Sequence, residues 1–437
     1  MIKIESTPEI IESKGGLLLA GKIAKKAGLG NIKCEAMGKA GTIIISLFGL
    51  MVEGKSDFEN MDEKRGSLFF KEALELSFVY AKETVRLYLE QMAAEAEEII
   101  EQIRGSNTQI IKGGPLHSLW IGGRQYLPVD IDTMAMDNSK TKKEGVSWTY
   151  RGFNGYHPIL AYVGKEGYML DCELRPGSQH CQNGTPAFIR GLTGRLQEIQ
   201  SGGRFLFRLD SGNDAWDTLK AVTDGGKGNY CIIKRNNRHE NEENWLEIAK
   251  QEGKKSVPRE GKTVWVGKAD IHPSKKGEIL KDISCVYEVI EREIDKAGNP
   301  LLINEIEMNL WWTNLRVDSE KVIELYHAHG TSEQFHSELK NDMGIERLPS
   351  GKFAVNKILL VVAMTAYNAL RLLGQRSIEQ EGSDKMHRRK RLGKVILDVI
   401  CVAGKLVKHA GSLVFKIHGQ DPVLPIFLRL NLALDSS

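Results

Sequence analysis

Two aspartates lie two residues apart in the segment VDIDT, residues 129–133. In a β-strand successive side chains alternate between faces, so Asp130 and Asp132 share one face and the apolar residues occupy the other. Side-by-side carboxylates repel each other unless they are solvated, hydrogen-bonded or bridged by a cation. The segment is therefore either a solvated strand face or part of a metal site. Strand parity does not separate Asp130 from Asp132 as the metal ligand.

A third aspartate, Asp210, ends the apolar segment RFLFRLD, residues 204–210. Open α/β sheets bind their ligands at the carboxyl ends of strands, which is where this side chain falls. The sequence that follows, Ser-Gly-Asn, is also a common way to turn the chain out of a strand. Asp210 is thus a candidate ligand, with a turn-forming role as the alternative.

The segment YHAHGTSEQFHSELK, residues 326–340, contains the only acid that we group with these aspartates, Glu333. Tyr326, His329, Glu333 and Lys340 follow one another at intervals of three, four and seven residues. A continuous helix over about residues 322–341 would align them on one face. An ordinary amphipathic surface helix produces the same spacing.

The whole chain bounds these possibilities. Its 437 residues are 41% hydrophobic and 27% charged, as in a folded globular protein of several domains. The net charge is only +3, so charge distribution must decide whether the partner is a polyanion. The six cysteines form no Cys-x-x-Cys pair, which argues against a zinc site or a disulfide framework.

The pattern predicts an α/β protein with four regions. Residues 1–115 form a helical N-terminal domain, and residues 116–235 with 317–380 form a mixed-sheet core with the order three strands, helix, strand, helix, strand. Residues 236–316 form a β-rich insertion, and residues 381–437 a basic, helical C-terminal region. The apolar stretch 358–370 is too short to span a bilayer, and the N-terminus lacks the features of a signal peptide. We expect no membrane association and a cytoplasmic location.

Taken together, these segments resemble the DDE transposases of bacterial insertion sequences. The resemblance is to the group with a signature of Tyr, two residues, Arg, three residues, Glu, six residues and Lys, and it covers about residues 16–409. The segments VDIDT, YRGFNGYHP (150–158), LRPG (174–177) and RLDS (208–211) are similar to the family's blocks and occur in the same order. One position departs, because His329 stands where the family has arginine.

The resemblance implies a ribonuclease-H-like core whose catalytic acids are Asp132, Asp210 and Glu333. Such a site would hold two Mg²⁺ or Mn²⁺ ions, because three hard carboxylates suit these cations. The partner would be double-stranded DNA, both the terminal inverted repeats and the target, bound by a homo-oligomer. A bacterial, nucleoid-associated location follows from the same resemblance.

DNA contacts are predicted outside the acids as well. By resemblance Tyr326, His329 and Lys340 would contact DNA, and Trp312 in the insertion would stack on a displaced base, with core packing as the alternative. Six basic residues and no acid lie between residues 385 and 394, which indicates a phosphate-binding strip or a solvated charge run. The strip residues that we predict to bind DNA are Arg388, Arg389, Lys390 and Arg391.

Two other functions remain open at this point. One is a metal-dependent nuclease or resolvase on the same fold, which would cut DNA without joining it to a target. The other is a DNA-binding protein derived from a transposase that has lost catalysis, a reading that the histidine at position 329 leaves open. The three retained acids favour an active enzyme.

Overall fold

Helices dominate the N-terminal quarter of the chain. The fold is known from a computed structural model, which describes residue 3 and residues 5–295, 297–379 and 389–436. A short strand precedes the helices, and the elements of this part are β1 (Ile10–Glu12), α1 (Leu17–Lys26), α2 (Ala40–Val52), α3 (Glu59–Lys64), α4 (Leu68–Ala73), α5 (Lys82–Met92) and α6 (Ala96–Lys112). The apolar faces of these helices are buried, as the sequence pattern predicts.

A mixed α/β core follows. Its elements are β2 (Leu119–Ile121), β3 (Arg124–Thr133), β4 (Met136–Asp137), β5 (Ser147–Trp148), β6 (Asn154–Tyr156), β7 (Ile159–Val163), β8 (Tyr168–Glu173), α7 (Thr185–Ile199), β9 (Phe205–Leu209), α8 (Trp216–Asp224) and β10 (Asn229–Lys234). Strands β3, β9 and β10 are parallel neighbours, and β7 and β8 add to β3 in antiparallel order. The strands β3, β7, β8, β9 and β10 and the helices α7 and α8 have the predicted order, and the short strands β2, β4, β5 and β6 were not predicted.

The remaining elements complete the sheet and cover it. They are α9 (Glu242–Glu252), β11 (Lys254–Arg259), β12 (Lys262–Ala269), β13 (Ser274–Lys275), β14 (Glu278–Ile279), β15 (Ser284–Ile294), β16 (Pro300–Thr313), α10 (Ser319–His327), α11 (Ser332–Ser337), α12 (Phe353–Glu379), α13 (Leu392–Val395), β17 (Gly404–His409), β18 (Ser412–Ile417) and α14 (Leu424–Ser436). The insertion is rich in strands, as expected, and it also contains α9.

The insertion strands continue the core sheet. β16 pairs with β10 over Thr313 to Trp311, and β15, β12 and β11 follow outward in antiparallel order. The result is one sheet of ten strands in the order β11-β12-β15-β16-β10-β9-β3-β7-β8, with β2 paired to β3. The core and the insertion therefore share an uninterrupted backbone hydrogen-bond ladder.

Helix α12 packs through the middle of the protein. By length and composition it could cross a membrane, yet 83% of its most apolar window is buried inside the protein, which is typical of a core helix. Its Asn368 donates to Asn107 of α6 and to the carbonyl of Met169 in β8, at 2.7 Å each. Because these buried amides are hydrogen-bonded, they fix how α6, α12 and the sheet meet.

The C-terminal region is only partly helical, which corrects the sequence prediction. β17 and β18 form a hairpin, and β1 from the other end of the chain pairs with β17. The hairpin turns at Ala410 and Gly411, both at positive φ (48° and 83°), the backbone of a two-residue turn that matches strand twist. Two short apolar runs with β-branched residues, in KLVKH and SLVFKI, flank an Ala-Gly pair, and this is the hairpin signal that the helical interpretation overlooked.

Candidate active site

Asp130 belongs to an internal ion pair. Its two carboxylate oxygens accept from Nε and Nη2 of Arg208 at 2.6 and 2.7 Å, and both residues are buried. The third contact of Arg208 is a 2.8 Å hydrogen bond from Nη1 to the carbonyl of Leu325 at the end of α10. Burial alone would raise the pKa of Asp130, but the charges of Arg208 and His329 hold it below its ordinary value. This geometry favours Asp132 as the acid that faces a ligand.

Asp132 and Asp210 lie side by side at the carboxyl ends of β3 and β9. Ile131 and Leu209 are paired in the parallel ladder, and the aspartates are the next residues of neighbouring strands, which are spaced about 4.8 Å apart. Burial raises the pKa of Asp132 to about 7, and the negative charges of Asp210 and Glu333 add to this effect. The two aspartates thus form the start of an anionic cluster.

Asp210 also forms the turn that was its alternative role. The turn Ser211–Asn213 is a single 3-10 turn, and the amide of Asn213 donates to the Asp210 carboxylate at 2.8 Å. Gly212 permits this close turn, since a Cβ there would lie 2.9 Å from Cys181 Sγ and 3.3 Å from both Asp210 carboxylate oxygens. Turn formation and a place in the cluster are therefore compatible for this residue.

Glu333 lies on a helical segment that departs from α-helical pitch at two places. α10 passes into a 3-10 turn, Ala328–Thr331, then into α11, and a π-helical turn, Glu338–Asp342, ends the segment. The predicted single continuous α-helix is therefore wrong. Tyr326, His329, Glu333 and Lys340, which are spaced at intervals of three, four and seven residues, do not share one regular helix face. Gly330 within the 3-10 turn is a weak helix former, which was the available signal. Glu333 is exposed, and its charge acts on Asp132.

Tyr326 and His329 face inward at the start of this segment. Burial raises the pKa of Tyr326, and the negative charges of Asp210 and Asp132 add to this effect. His329 is 7% exposed, with Nδ1 3.0 Å from Oδ1 of Asp130. The histidine at the arginine position therefore contacts the internal ion pair, an arrangement that does not favour its predicted DNA contact.

Lys340 lies beyond the acids. Its Nζ donates to the carbonyl of Ala135, just after β3, and is 3.5 Å from Oε1 of Glu346. It is partly buried. Its contact with DNA stays a prediction.

Trp312 is buried, at 5% exposure, in the strand where the insertion joins the core. Its indole donates to Asp214 at 2.8 Å, and the guanidinium of Arg235 lies 4.6 Å from the ring centre. Stacking on a base would require this side chain to leave the sheet. The structure therefore favours the packing alternative over the predicted base contact.

The basic strip is described only from residue 389 onward, so Arg388 lies outside the described residues. Arg389 donates to Glu338 at 2.5 Å, Arg391 to Asp342 at 2.9 Å, and Lys390 to Ser377 at 3.1 Å. These contacts tie the strip to helical parts of the chain. Phosphate binding by the strip stays a prediction, and for Arg389 and Arg391 it would compete with existing ion pairs.

Glu338 anchors the segment that carries Glu333. Its buried carboxylate accepts hydrogen bonds from Arg371 of α12 and from Arg389, and Arg371 also donates to Tyr367. Arg389 in turn lies 4.5 Å from the centre of the Phe335 ring. Phe335 within α11 and Glu338 just after it are thus held in place, which limits movement of the backbone that carries Glu333.

Two groups that sequence reasoning missed border the acids. Arg151 is exposed, donates to the Tyr150 hydroxyl at 3.0 Å, and interacts electrostatically with Glu333 and Asp132. His336 Nδ1 lies 3.8 Å from Oδ2 of Asp132, and burial lowers the pKa of this imidazole to about 3. The YRGFNGYHP block contained the signal for Arg151, and the position of His336 became visible only in three dimensions.

Among the described residues, no three histidine, cysteine or acidic side chains are already arranged around a single ion. The donor chemistry nevertheless fits a divalent cation. Mutual repulsion of Asp132, Asp210 and Glu333 is relieved when a cation lies between them. Glu333 is exposed, so its side chain is free to rotate toward the aspartates.

Comparison with known proteins identifies the family. Residues 51–437 match the family described as transposase DDE domain group 1, and the chain belongs to that family. Among curated proteins, none matches the sequence. One similar solved structure is the piggyBac transposase synaptic complex with hairpin DNA, determined by cryo-EM, with a TM-score of 0.41 and 10% identity. That similarity covers 87% of this chain and 76% of the other.

The different roles of the two strand aspartates predict opposite effects on stability. Asp130→Asn leaves the buried Arg208 without its counter-charge and should lower the free energy of unfolding by about 3–5 kcal/mol. Asp132→Asn should instead raise it by about 1–3 kcal/mol at pH 8. The folded state raises the pKa of Asp132 from 3.8 to about 7, so this group costs the folded state stability as the pH rises from the first value to the second, and asparagine removes the full cost at pH 8.

Denaturant unfolding in EDTA measures both effects, and the values of Asp132→Asn at about pH 4, where the cost of this group is small, are the internal control. Equal destabilisation by the two substitutions would contradict the assignment of Asp130 to structure and Asp132 to the cluster.

The clamp on α11 predicts a second stability effect. Glu338→Gln leaves Arg371 and Arg389 facing each other without a carboxylate and should lower the free energy of unfolding by about 3–5 kcal/mol. The matched control is Glu324→Gln in α10, whose ion pair with Lys321 is exposed and should contribute less than about 1 kcal/mol. Urea unfolding of Glu338→Gln and Glu324→Gln measures the two free energies of unfolding. Similar midpoints for the two variants would show that the buried cluster around Glu338 does not anchor the segment.

Proposed function

We propose that this member of the DDE transposase family cuts DNA at the ends of a mobile element and joins those ends to a target. The observation that supports the proposal most directly is the meeting of Asp132 and Asp210 at neighbouring strand ends, with the charge of Glu333 reaching Asp132. These acids come from positions separated by 78 and 123 residues (210 − 132 and 333 − 210). Catalysis by these three side chains is the core of the proposal.

The finer features follow from the sequence resemblance. We assign the core to the ribonuclease-H-like class, because three antiparallel strands, β8, β7 and β3, are followed by parallel β9 and β10 in the same sheet. The Tyr-Arg-Glu-Lys group, an origin in a bacterial insertion sequence, a cytoplasmic, nucleoid-associated location and a homo-oligomer on DNA are parts of the same proposal. Terminal inverted repeats and target DNA are its proposed substrates.

Asp132, Asp210 and Glu333 would hold two Mg²⁺ or Mn²⁺ ions. When bound, such ions activate the attacking oxygen and neutralise charge on the leaving oxygen of a phosphodiester. The side chains of this chain supply oxygen donors on a rigid sheet edge and on a clamped helix. Arg151, exposed beside Glu333, is placed to bind a phosphate near the acids.

Neighbouring residues orient the acids. The backbone N–H of Thr133 donates to Oδ1 of Asp132 at 2.7 Å, and Asn213 donates to Asp210. His336, kept neutral by burial, fills the space next to Asp132 without adding a positive charge that would compete with a cation. We assign these three residues a positioning role.

Cation binding predicts a change in thermal stability. MgCl₂ or MnCl₂ at millimolar concentration should raise the melting temperature of the wild-type chain, since a ligand that binds only the folded state stabilises it. The double variant Asp132→Asn/Asp210→Asn should lose this rise, and Asp214→Asn, a nearby acid bonded to Trp312, should keep it. Differential scanning fluorimetry with NaCl-matched controls measures the shifts, and equal shifts in all three proteins would place the cation elsewhere.

Glu333→Gln should reduce strand cleavage more than ~100-fold, because even residues that only hydrogen-bond to metal ligands contribute about 10–100-fold. DNA binding should remain close to wild type, since the exposed amide keeps the size of the carboxylate. The measurement is cleavage of labelled DNA carrying the element's ends in Mg²⁺, with Glu324→Gln as the control on the same helical segment. Normal nicking by Glu333→Gln would reject the assignment.

The same assay separates the alternatives. Products joined to a target plasmid indicate a transposase, whereas cleavage without joining indicates a nuclease or resolvase. Binding without cleavage by the wild-type chain indicates a DNA-binding protein that has lost catalysis.

A further inference from the structure

A second polar groove lies at the opposite edge of the sheet from the acids. It has a volume of about 810 Å³ and is formed around the amino ends of β3 and β10 and the end of β16. Three cationic residues line it, Arg124, Lys227 and Arg316, and the one acid in its lining is Asp282. None of the roles proposed above uses this groove.

The three cations are exposed, and within the described part of the chain none forms an ion pair. This distinguishes them from Arg389 and Arg391, which are paired with acids of the helical segment. A fourth cation, Arg204, lies at the same end, since the hydroxyl of Tyr126 in the groove interacts with both Arg124 and Arg204. Unpaired positive charges gathered on one edge favour an anionic ligand.

The floor of the groove is preformed. The rings of Tyr126 and Tyr230 pack edge to face with centroids 5.0 Å apart. Asn314 accepts from the backbone N–H of Cys231 at 2.8 Å and donates to the carbonyl of Asn229 at 3.1 Å, which locks β16 against β10. The cations therefore project from a rigid surface, so little ordering entropy opposes binding.

The groove is too far from the acids to hold the phosphate being cut. Arg124 precedes Asp132 by eight residues of one strand (132 − 124), a separation of about 26 Å at 3.3 Å per residue. Along B-form DNA at 3.4 Å per base pair, this distance corresponds to roughly eight base pairs. A ligand that reaches both sites must be long.

We propose that this groove binds the phosphate backbone of double-stranded DNA away from the cleavage point. The proposal depends on the proposed function only for the identity of that DNA. Duplex DNA has about one negative charge per 1.7 Å, so a rim of three spread cations contacts several phosphates at once. Because the contacts reach phosphates and not bases, this binding is independent of sequence.

The test uses the full chain with the substitutions Arg124→Gln, Lys227→Gln and Arg316→Gln combined. Binding to a random-sequence 50-base-pair duplex is measured by fluorescence anisotropy from 50 to 200 mM KCl. The slope of log K against log salt should decrease by about 2–3, since each phosphate contact contributes about 0.9. The matched control is Arg190→Gln/Arg259→Gln/Lys408→Gln, exposed residues elsewhere, for which the slope should change by less than about 1.

Two further arms make the result decisive. Arg124→Lys/Arg316→Lys keeps the charges and should keep the wild-type slope, which separates charge from folding. Cleavage of a short duplex at the acids should be unaffected by the groove substitutions, so failure of the groove and failure of the proposed chemistry give different results. Equal slopes for the groove and control variants would overturn the proposal, as would groove-dependent stabilisation by pyrophosphate with an unchanged DNA slope.

Discussion

The buried ion pair between Asp130 and Arg208 joins three parts of the chain that are distant in sequence. It links β3 to β9 and, through the Leu325 carbonyl, links both strands to the helical segment that follows β16. Removing one partner of such a pair leaves a buried charge without compensation, so the fold depends on both partners being present. Asp132 and Asp210 each lie two residues beyond this pair on their strands, and their positions depend on it.

Asp132, Asp210 and Glu333 oppose this arrangement, because their negative charges repel one another and Asp132 is largely buried. The surroundings are organised to resist that repulsion. His336 is held neutral next to Asp132, and the Glu338 clamp holds α11 from its far side. An internal set of well-paired charges thus supports an outer set of carboxylates that repel one another. Asp130 and Asp132, which face the same side of the strand, therefore differ in their surroundings, because Asp130 belongs to a buried ion pair and Asp132 lies beside Asp210.

Much of this fold could be predicted from the sequence, because the core strands are strongly apolar and are separated by clear turn signals. The assignment of Asp132, Asp210 and Glu333 as catalytic acids rests on motif segments that resemble the family's, and it stays a prediction. The directions of the side chains could not be predicted from the sequence. Trp312 and His329 are buried because of how the elements pack, which the sequence pattern does not contain. The pitch changes around Glu333 depend on tertiary contacts such as the Glu338 clamp, which no local pattern contains. The C-terminal hairpin was missed because its strands are short apolar runs without a clear alternation of apolar and polar residues.

The shared strand β16 has a consequence for how such proteins vary. This 14-residue strand begins in the insertion, and its last residues pair with β10 of the core. The same strand therefore pairs with β10 of the core on one side and with β15 of the insertion on the other. Deleting residues 236–316 as a block would expose the unpaired edge of β10, a surface prone to self-association. Length differences among homologues should therefore collect at the distal end, near the exposed Leu302 and Ile303, where a strand can be shortened without opening the sheet.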